Sequence, residues 1–315
     1  MKFRESLMED LQKAIIYRTA LGFNVGEYSH TLPRFIEFCA DNYPNGTSIT
    51  RQMVDEWMAA YPFRTNRSRT VFISTLRQFS RFIQALGKES FVPDGDYSYK
   101  QEPYKPYVFS DTELAELFHA IDSYQPYYCY RKFRADIICP VLFRMMYCCG
   151  MRPTEPLKLR VEDVDLRTGD IYIQRAKYAK DRHIIMSADL LELCRHYDLL
   201  IGKREWFFPH PNGGPLSRNW MGTQFEICWR ESGLKSDRKP RPYDLRHAFA
   251  TRVMTSWMDD GNDIMTLMPF LSTYLGHVEF SSTLHYIHLL PARIRESSGV
   301  DWGMLQSVYA EADYE

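Results

Sequence analysis

Apolar residues recur every three or four positions through the first 90 residues of the chain, which predicts a helical segment. The strongest stripe steps by four, three, four and three residues and comprises Phe72, Leu76, Phe79, Ile83 and Leu86. Another helix is predicted to begin after the Thr-Ser-Ile-Thr sequence at residues 47–50, because threonine before an apolar run is a typical helix cap.

A compositional break separates this helical segment from the rest of the chain. The stretch FVPDGDYSYKQEPYKP at residues 91–106 contains three prolines, one glycine and few aliphatic side chains. Proline removes a backbone donor and disfavours helix, so the stretch predicts an extended linker. We therefore expect a helical domain at 1–90, a linker at 91–108, a larger domain at 109–296 and a C-terminal tail at 297–315.

The larger segment combines helical patterns with one predicted hairpin. Ser110 and Glu113 fit a capping box ahead of an apolar helical run. The sequences at 170–174 and 183–186 predict two strands joined by a basic turn, and helical spacing resumes near Leu190. Pro153 suits the first position of another helix. The predicted fold is mainly α, with an N-terminal helical domain and a mixed, mostly helical domain that contains a small antiparallel β-sheet.

Composition narrows the class of protein. The chain has 315 residues, 45% of them hydrophobic and 25% charged, which is typical of globular proteins and excludes collagen-like and disordered chains. The net charge of −1 means that any site for a polyanion is local. The 7 cysteines form no CxxC pair, and no apolar run reaches the length of a membrane span. A reduced, cytoplasmic setting without a targeting segment is expected.

Positive charge is concentrated in the last helix of the first segment and in the residues before it. Between residues 63 and 88 there are six basic side chains and no acidic one: Arg64, Arg67, Arg69, Arg77, Arg81 and Lys88. Residues 1–90 carry 12 basic and 9 acidic side chains, whereas the rest of the chain carries 27 and 31. A basic helix face suits the phosphates of DNA, and a merely solvated face is the alternative. The lack of an acidic partner within the segment favours DNA binding.

Four short motifs in the larger segment carry candidate chemistry. GMRPTEPLKL contains Arg152, whose guanidinium fork suits phosphate oxygens. KYAKDR, at the tip of the predicted hairpin, contains Lys177, which can project toward a ligand. RPYDLRHAFAT contains Arg246 near a predicted helix start, where the helix dipole also favours anions. LGH contains His277, and Tyr286 follows nine residues later.

Each motif has an ordinary interpretation when taken alone. Arg152 and Glu155 fit an ion pair, KYAKDR fits a solvated turn, and one tyrosine among 21 is usually a packing residue. A tyrosine hydroxyl is also a poor nucleophile at its usual pKa of about 10. Clustered cations would change that balance, because they would stabilise both the phenolate and a charged transition state.

Taken together and in this order, the motifs resemble those of the tyrosine recombinase (phage integrase) family. GMRPTEPLKL is similar to the family's first arginine box, KYAKDR to its β-hairpin lysine, and YDLRHAFAT to its second box. LGH and Tyr286 are similar to the third box and the nucleophile. The resemblance covers about residues 109–290 and implies a catalytic domain that follows a helical core-binding domain.

The resemblance implies a role for each matching residue. Tyr286 would attack a scissile DNA phosphate, leaving a 3′-phosphotyrosyl link and a free 5′-hydroxyl. Arg152 and Arg246 would hold the non-bridging oxygens, and Lys177 would protonate the leaving 5′-oxygen. His277 would donate a hydrogen bond to the phosphate or assist proton transfer. The energy of the broken bond is kept in the protein–DNA ester, so no metal and no cofactor is expected.

Glu155 matches the family's acidic position after the first arginine and would orient the site, but two features depart from the pattern. Tyr243 stands three residues before Arg246, where the family usually has histidine, and a phenol is a weaker acid. His247 is expected to be a poor substitute, because adjacent helix positions point about 100° apart. Tyr243 is also a minor alternative nucleophile. The 31-residue interval from Arg246 to His277 is longer than usual, and we expect a surface loop at residues 259–263.

The leading hypothesis is a site-specific DNA recombinase of an integrase, transposon or Xer-like kind. Its partners would be double-stranded DNA and copies of itself, as a homo-tetramer on paired sites and a monomer or weak dimer when free. We expect a nucleoid-associated location in the cytoplasm and no membrane. The apolar stripe in the tail would dock on a neighbouring protomer or pack on its own domain. A type IB topoisomerase-like enzyme and a DNA-binding regulator without catalysis are the alternatives.

Overall fold

The chain folds into two compact units, which we call the N-unit (Met1–Tyr104) and the C-unit (Lys105–Glu315). The computed structural model describes residues 3–23, 25–97, 105–126, 133–174, 181–277, 280–284 and 286. In those ranges no helix is long and apolar enough to cross a membrane.

Helices make up the described part of the N-unit: α1 (Phe3–Ala20), α2 (Gly26–Asn42), α3 (Arg51–Ala60) and α4 (Asn66–Ala85). The predicted cap of α3 is confirmed, because the Thr50 side chain accepts a hydrogen bond from the Met53 backbone N–H. Thr65 caps α4 in the same way, through the backbone N–H of Ser68. Threonine caps therefore fix where both helices begin.

The predicted apolar stripe of α4 forms one side of the N-unit core. Phe72, Leu76, Phe79 and Ile83 are each at most 2% exposed. The assignment of Leu86 to the stripe was wrong, since α4 ends one residue before it and its side chain is 43% exposed.

Residues 91–97, at the start of the predicted linker, pack against the N-unit. The Phe91 backbone N–H donates to the Ile49 carbonyl at 2.8 Å, and Arg77 Nε donates to the Pro93 carbonyl at 2.7 Å. A short 3₁₀ turn at Gly95–Tyr97 leaves the tyrosine 7% exposed. The middle of the predicted linker, residues 98–104, lies outside the described residues, and the four predicted region boundaries stay predictions.

The C-unit is mostly helical, as predicted. Its helices are α5 (Asp111–Asp122), α6 (Ala135–Cys149), α7 (Ala188–Ile201), α8 (Arg218–Glu231), α9 (Pro242–Asp259), α10 (Ile264–Leu275) and α11 (Ser281–Leu284). The predicted capping box of α5 is confirmed, with the Ser110 N–H donating to Glu113 Oε2 at 2.8 Å. The predicted surface loop is confirmed as the exposed connection between α9 and α10.

A small antiparallel sheet stands beside these helices. Its strands are β1 (Val164–Asp165), β2 (Asp170–Ile173) and β3 (Arg182–Ile185), in the order β1-β2-β3. Ile171 pairs with Ile184, and both side chains are fully buried. The predicted hairpin is confirmed, whereas sequence reasoning missed β1.

Helix α6 is the centre of the C-unit core. Ile138, Leu142, Phe143 and Met146 are fully buried, and the helix packs against α5, α7 and α9. A helix that is apolar around most of its circumference has to be enclosed by other elements. The C-terminal end of this enclosed helix is where the candidate site begins.

Candidate active site

Gly150 ends α6 in the left-handed region at φ +60°. A Cβ atom there would lie 2.5 Å from Phe249 Cδ1, so only glycine fits this position. The α-helix predicted to start at Pro153 is absent; residues 153–155 form a turn and a 3₁₀ turn follows at 156–158. The next proline explains this, because Pro156 has no N–H with which to reach the Arg152 carbonyl.

Two arginines hold the Glu155 carboxylate. Arg182, at the start of β3, donates from Nη1 to Oε1 at 2.8 Å and from Nη2 to Oε2 at 2.7 Å. Arg152 donates from its backbone N–H to Oε2 at 2.7 Å and from Nη1 to Oε1 at 3.0 Å. The ion pair of Arg152 with Glu155, an alternative reading of the motif, is therefore present. Arg152 Nη2 also donates to the Gly276 carbonyl at 2.6 Å, which links the first motif to the LGH motif.

The charge state of Glu155 follows from these contacts. Burial raises the pKa of its carboxyl, but hydrogen bonds and charge from Arg182, the Arg152 backbone N–H and the charge of Arg246 outweigh burial. The pKa therefore lies below its usual value. Glu155 is ionised at neutral pH and offsets part of the positive charge around it.

Arg246, on α9, has no exposed surface. Its Nη1 donates to the Gly150 carbonyl at 2.6 Å and its Nη2 donates to the Leu275 carbonyl at 2.8 Å. Both carbonyls lie at helix C-termini, where unpaired acceptors and the helix dipole favour a cation. Burial lowers the pKa of Arg246, although guanidinium still remains charged at neutral pH. Its Nε atom has no hydrogen-bond partner in the described part of the chain.

His277 follows the glycine that ends α10. Its Nε2 lies 3.1 Å from Arg246 Nη2, and because a guanidinium can only donate, Nε2 is the acceptor. The ring proton of the neutral imidazole then lies on Nδ1, which is 2.7 Å from Thr283 Oγ1. The hydrogen bonds on both sides therefore fix the orientation of the His277 ring.

Tyr286 lies against the same group and is 2% exposed. Its ring stacks on His277 with centroids 6.0 Å apart at 16°, and it contacts His247 with centroids 5.3 Å apart at 57°. Burial raises the pKa of the Tyr286 phenol, while the charge and hydrogen bonding of Arg246 and the charge of Arg152 oppose that rise only partly. The hydroxyl therefore keeps its proton at neutral pH.

Tyr243 is half-buried at the start of α9, and its ring centroid lies 4.9 Å from that of His247. His247 is 8% exposed and contacts both phenol rings, Tyr243 and Tyr286. The expectation that His247 is a poor substitute for the usual histidine of the second box stays a prediction, and its contacts with the two phenol rings are an addition to it. Arg246 and His247 are adjacent on α9, and Tyr286 interacts with both of them.

The structure thus brings together Arg152, Glu155, Tyr243, Arg246, His277 and Tyr286 in one unit. Lys177 and the tail at 297–315 lie outside the described residues. Sequence reasoning missed the contacts that Arg182, His247 and Thr283 make in this cluster, although the first two lie inside motifs that it singled out. Only the fold shows that Arg182 pairs with the buried carboxylate of Glu155, so no sequence pattern could have identified it.

Lys88 and Arg77, which belong to the six basic residues predicted to bind DNA, use their side chains within the N-unit. Lys88 Nζ lies 2.6 Å from Asp10 Oδ2, and that aspartate is 1% exposed. Arg77 donates to the backbone carbonyls of Pro93 and Asp94 at 2.7 and 3.0 Å. The acidic partner of Lys88 comes from α1, outside the segment that has no acidic residue of its own. The remaining members of the group are exposed or half-buried: Arg64, Arg67, Arg69 and Arg81.

An open groove of about 680 Å³ lies beside the Arg152–Glu155 pair in the C-unit. Its walls include Arg160, which stands 5.0 Å above the Trp206 ring, and Tyr172 from β2. Basic and aromatic side chains therefore line the approach to Arg152. As far as the described residues go, no group of three or more His, Cys, Asp or Glu side chains is arranged to hold a metal ion.

Comparisons with known proteins agree with this geometry. The sequence model of the phage integrase family matches residues 108–293. The protein named "Putative integrase/recombinase y4rE" of Sinorhizobium fredii is 27% identical over 298 residues, which are 90% of this chain and 92% of that protein. Tyrosine recombinase XerC of Staphylococcus carnosus is 26% identical over 74% of each chain. The structure of a lambda integrase tetramer bound to a Holliday junction has the same fold, with a TM-score of 0.63 at 16% identity, over 96% of this chain and 80% of that one.

Proposed function

The chain belongs to the phage integrase family of tyrosine recombinases, and we propose that it is a site-specific DNA recombinase with Tyr286 as its nucleophile. The observation that supports this proposal is the cluster around Arg246. Two helix-end carbonyls and His277 surround its guanidinium, and Tyr286 stacks on that histidine. Motifs far apart in sequence therefore meet at one point beside a phenol.

In the proposed reaction the Tyr286 oxygen attacks the scissile phosphorus, and the bond from phosphorus to the 5′-oxygen breaks. The proton of the Tyr286 phenol passes to His277 Nε2, and the departing 5′-oxygen takes a proton from the Lys177 ammonium. Both proton transfers run in reverse when the strand is rejoined. Arg152 and Arg246 hold the non-bridging oxygens and offset the charge of the transition state. A 5′-hydroxyl then attacks the phosphotyrosyl ester, which releases Tyr286 and rejoins the strand.

Two features of the site bear on how a phosphate would bind. The Nε–H of Arg246 is a buried donor without a partner among the described residues. Such a donor costs free energy unless it finds an acceptor, and a phosphate oxygen would be one. Tyr286, at 2% exposure, has to become accessible before it can attack. We propose that DNA binding makes the Tyr286 hydroxyl accessible. Loss of the hydrogen bond from Arg246 Nη2 to His277 Nε2 would free that nitrogen for proton transfer.

The proposed partner is double-stranded DNA, bound along the groove beside Arg152 and by exposed arginines of the N-unit. Strand exchange joins two duplexes, so we propose a homo-tetramer on paired sites and a monomer or weak dimer when free. The lambda integrase tetramer on a Holliday junction is an example of such an assembly in a protein of the same fold. An enzyme of this kind works where DNA is, which leads us to propose a nucleoid-associated location in the cytoplasm.

Replacement of Tyr286 by Phe tests the proposal. The change removes one oxygen and no positive charge, so covalent attachment to DNA should be lost while DNA binding stays nearly unchanged. The measurement is single-turnover cleavage of a duplex nicked near the cleavage site, with adducts resolved on a denaturing gel. Tyr17→Phe is the matched control, since this tyrosine of α1 is 55% exposed and belongs to the N-unit.

The outcomes separate the competing functions. An adduct that persists in Tyr286→Phe refutes the nucleophile and points to Tyr243. Adducts without strand exchange between two duplexes indicate a type IB topoisomerase-like enzyme. A wild-type protein that binds DNA and never forms an adduct is a regulator without catalysis.

A further inference from the structure

Arg182 is almost as buried as Arg246 and is absent from the roles described above. Its side chain is 9% exposed and its guanidinium matches both oxygens of Glu155. Bidentate pairing of this kind fixes orientation as well as distance. Burial of such a charged side chain is costly unless its pairing is complete, so the position needs an explanation.

We propose that Arg182 is a positioning residue of the recombinase site: it fixes the Glu155 carboxylate, which in turn fixes Arg152. This inference rests on the proposed function, because it assigns Arg152 to the scissile phosphate. Strand β3 would then help to position the site, because Arg182 contacts Glu155 in the turn and Arg152 contacts Gly276 of the LGH motif.

The contacts carry the proposal in three steps. Arg182 occupies both oxygens of Glu155, so the carboxylate cannot rotate without losing two charge-assisted hydrogen bonds. The same carboxylate then accepts from the backbone and the Nη1 of Arg152. Arg152 Nη2, held in this way, reaches the carbonyl of Gly276, the residue before His277.

Close packing adds a second restraint on Arg182. Gly276 has φ +66°, and a Cβ built on it would lie 3.3 Å from Arg182 Cδ and 3.5 Å from Arg152 Nη1. Both arginines therefore lie directly against the glycine of the LGH motif. Moving Arg182 would open space under Arg152, which would lose its fixed position against the backbone.

The pKa of Glu155 makes these contacts measurable, because it depends on the charges around the carboxylate. The charged groups that face Glu155 are Arg182 from β3, Arg152 from the turn and Arg246 from α9. Arg182 supplies the largest part of the lowering of the Glu155 pKa, against the upward push of burial. Without Arg182, the carboxyl would take up a proton at higher pH and lose its hold on Arg152.

The experiment compares Arg182→Gln, Arg182→Lys, Glu155→Gln and the double variant Arg182→Gln/Glu155→Gln, all full length. Single-turnover cleavage of the nicked duplex is measured from pH 5 to 9 at saturating protein. Arg182→Gln should cleave on the order of 10²-fold more slowly than wild type, because Arg152 is misplaced. DNA affinity should change much less, since the residue is buried and contacts protein.

The pH profile distinguishes positioning from general support of the fold. The acid limb of Arg182→Gln should move upward by on the order of one to three pH units, the shift expected when an adjacent opposite charge is lost. That movement should vanish in the double variant, which has no carboxyl to titrate. Arg182→Lys keeps the charge, so it should restore the wild-type profile and part of the rate.

A readout without catalysis keeps the inference separate from the proposed function. The low pKa of Glu155 stabilises the fold above the unfolded-state pKa, and this stability is lost as pH falls through the folded-state pKa. The contribution of Glu155 to the pH dependence of the unfolding midpoint is the difference between a protein with Glu155 and the same protein with Gln at this position. This difference should be smaller between Arg182→Gln and the double variant than between wild type and Glu155→Gln. Equal pH dependence in both backgrounds, or a slow Arg182→Gln with an unshifted acid limb, overturns the inference. If wild type forms no adduct but the unfolding data behave as expected, the proposed function fails and the Arg182–Glu155 coupling stands.

Discussion

Arg246 is the residue on which the described geometry of the site depends most. A charge with no exposed surface is unfavourable in a protein interior unless hydrogen bonds and opposite charge surround it. Here the acceptors are carbonyl groups of Gly150 and Leu275, at the ends of two different helices. Those ends carry partial negative charge, so the fold itself supplies the counter-charge. Glu155 contributes a further negative charge nearby.

Tyr243 is the residue at which the chain leaves its family pattern, and it gives a prediction at this scale. If its hydroxyl donates a hydrogen bond to the phosphate, Tyr243→Phe should slow cleavage by on the order of 10²–10³-fold without abolishing it. Tyr243→His restores the family's usual residue and should retain activity. Single-turnover cleavage of the nicked duplex at saturating protein measures both rates.

The contact with His247 supplies the opposing prediction. The Tyr243 ring packs on His247, which in turn contacts Tyr286. If packing is the role of Tyr243, phenylalanine preserves the ring and is harmless, whereas histidine disturbs the stack and slows cleavage. Wild-type rates for Tyr243→Phe would therefore rule out hydrogen-bond donation and leave the assignments of Arg152, Arg246, His277 and Tyr286 unaffected.

The residue scale also shows what sequence can and cannot predict about a site. Residue type and order singled out Arg152, Arg246, His277 and Tyr286, which the structure brings together, whereas their catalytic roles stay predictions. The role of Arg182 was hidden, because its carboxylate partner is 27 positions away and no spacing rule joins a strand to a turn. The contact of His247 with Tyr286 was equally hidden, because the two residues are 39 positions apart.

At the scale of elements, α4 carries two kinds of basic residue that its sequence does not distinguish. Arg77 holds the chain that follows the helix, whereas Arg81 is exposed. Lys88, just beyond the helix, pairs with the buried carboxylate of Asp10. The basic segment is therefore partly internal support and partly free surface.

This difference predicts opposite effects for two alanine substitutions. Arg81→Ala should lower the salt slope of DNA binding by about 0.9, the value for one phosphate contact, and change unfolding stability by less than about 0.5 kcal/mol. Lys88→Ala should leave the slope nearly unchanged and lower stability by about 1–2 kcal/mol, because Asp10 keeps its charge in a buried position. Binding is measured by titration at several salt concentrations, and stability by urea unfolding.

Gln78→Ala is the matched control, since Gln78 is exposed on the same helix and uncharged. Its slope and its stability should both equal those of wild type. A slope that is unchanged in Arg81→Ala would mean that this face of α4 is only a solvated surface. A reduced slope in Lys88→Ala would mean that the lysine leaves Asp10 to bind DNA.

Elements were predictable where a pattern is long enough to show its period. Both hairpin strands were predicted to within one residue at each end. Most of the turn between them lies outside the described residues. Strand β1 has only two residues, too few to show alternation. The helix expected at Pro153 failed because a second proline, Pro156, denied it the hydrogen bond that would close its first turn.

At the scale of the whole molecule, the two units have separate cores and opposite balances of charge. Aromatic and aliphatic residues of α1 to α4 form one core, and those around α6 form another. Basic residues outnumber acidic ones by 13 to 12 in the N-unit, and acidic residues outnumber basic ones by 28 to 26 in the C-unit. Within the N-unit, six basic residues and no acidic one lie between residues 63 and 88. We infer that the N-unit supplies much of the affinity for DNA and that the C-unit supplies the chemistry.

A fragment spanning residues 105–315 tests this division. It contains its own core and the described site residues, so we expect cooperative urea unfolding and covalent trapping of the nicked duplex at high protein concentration. Its salt slope for DNA binding should be lower than that of the full chain by up to about four units, at roughly one unit for each of Arg64, Arg67, Arg69 and Arg81. Tyr286→Phe in the same fragment is the control for specific trapping.

A fragment that binds with the full slope would place all phosphate contacts in the C-unit, because the charges removed with the N-unit would then have made none. A fragment that unfolds without cooperativity would mean that the C-unit core depends on the N-unit for its stability.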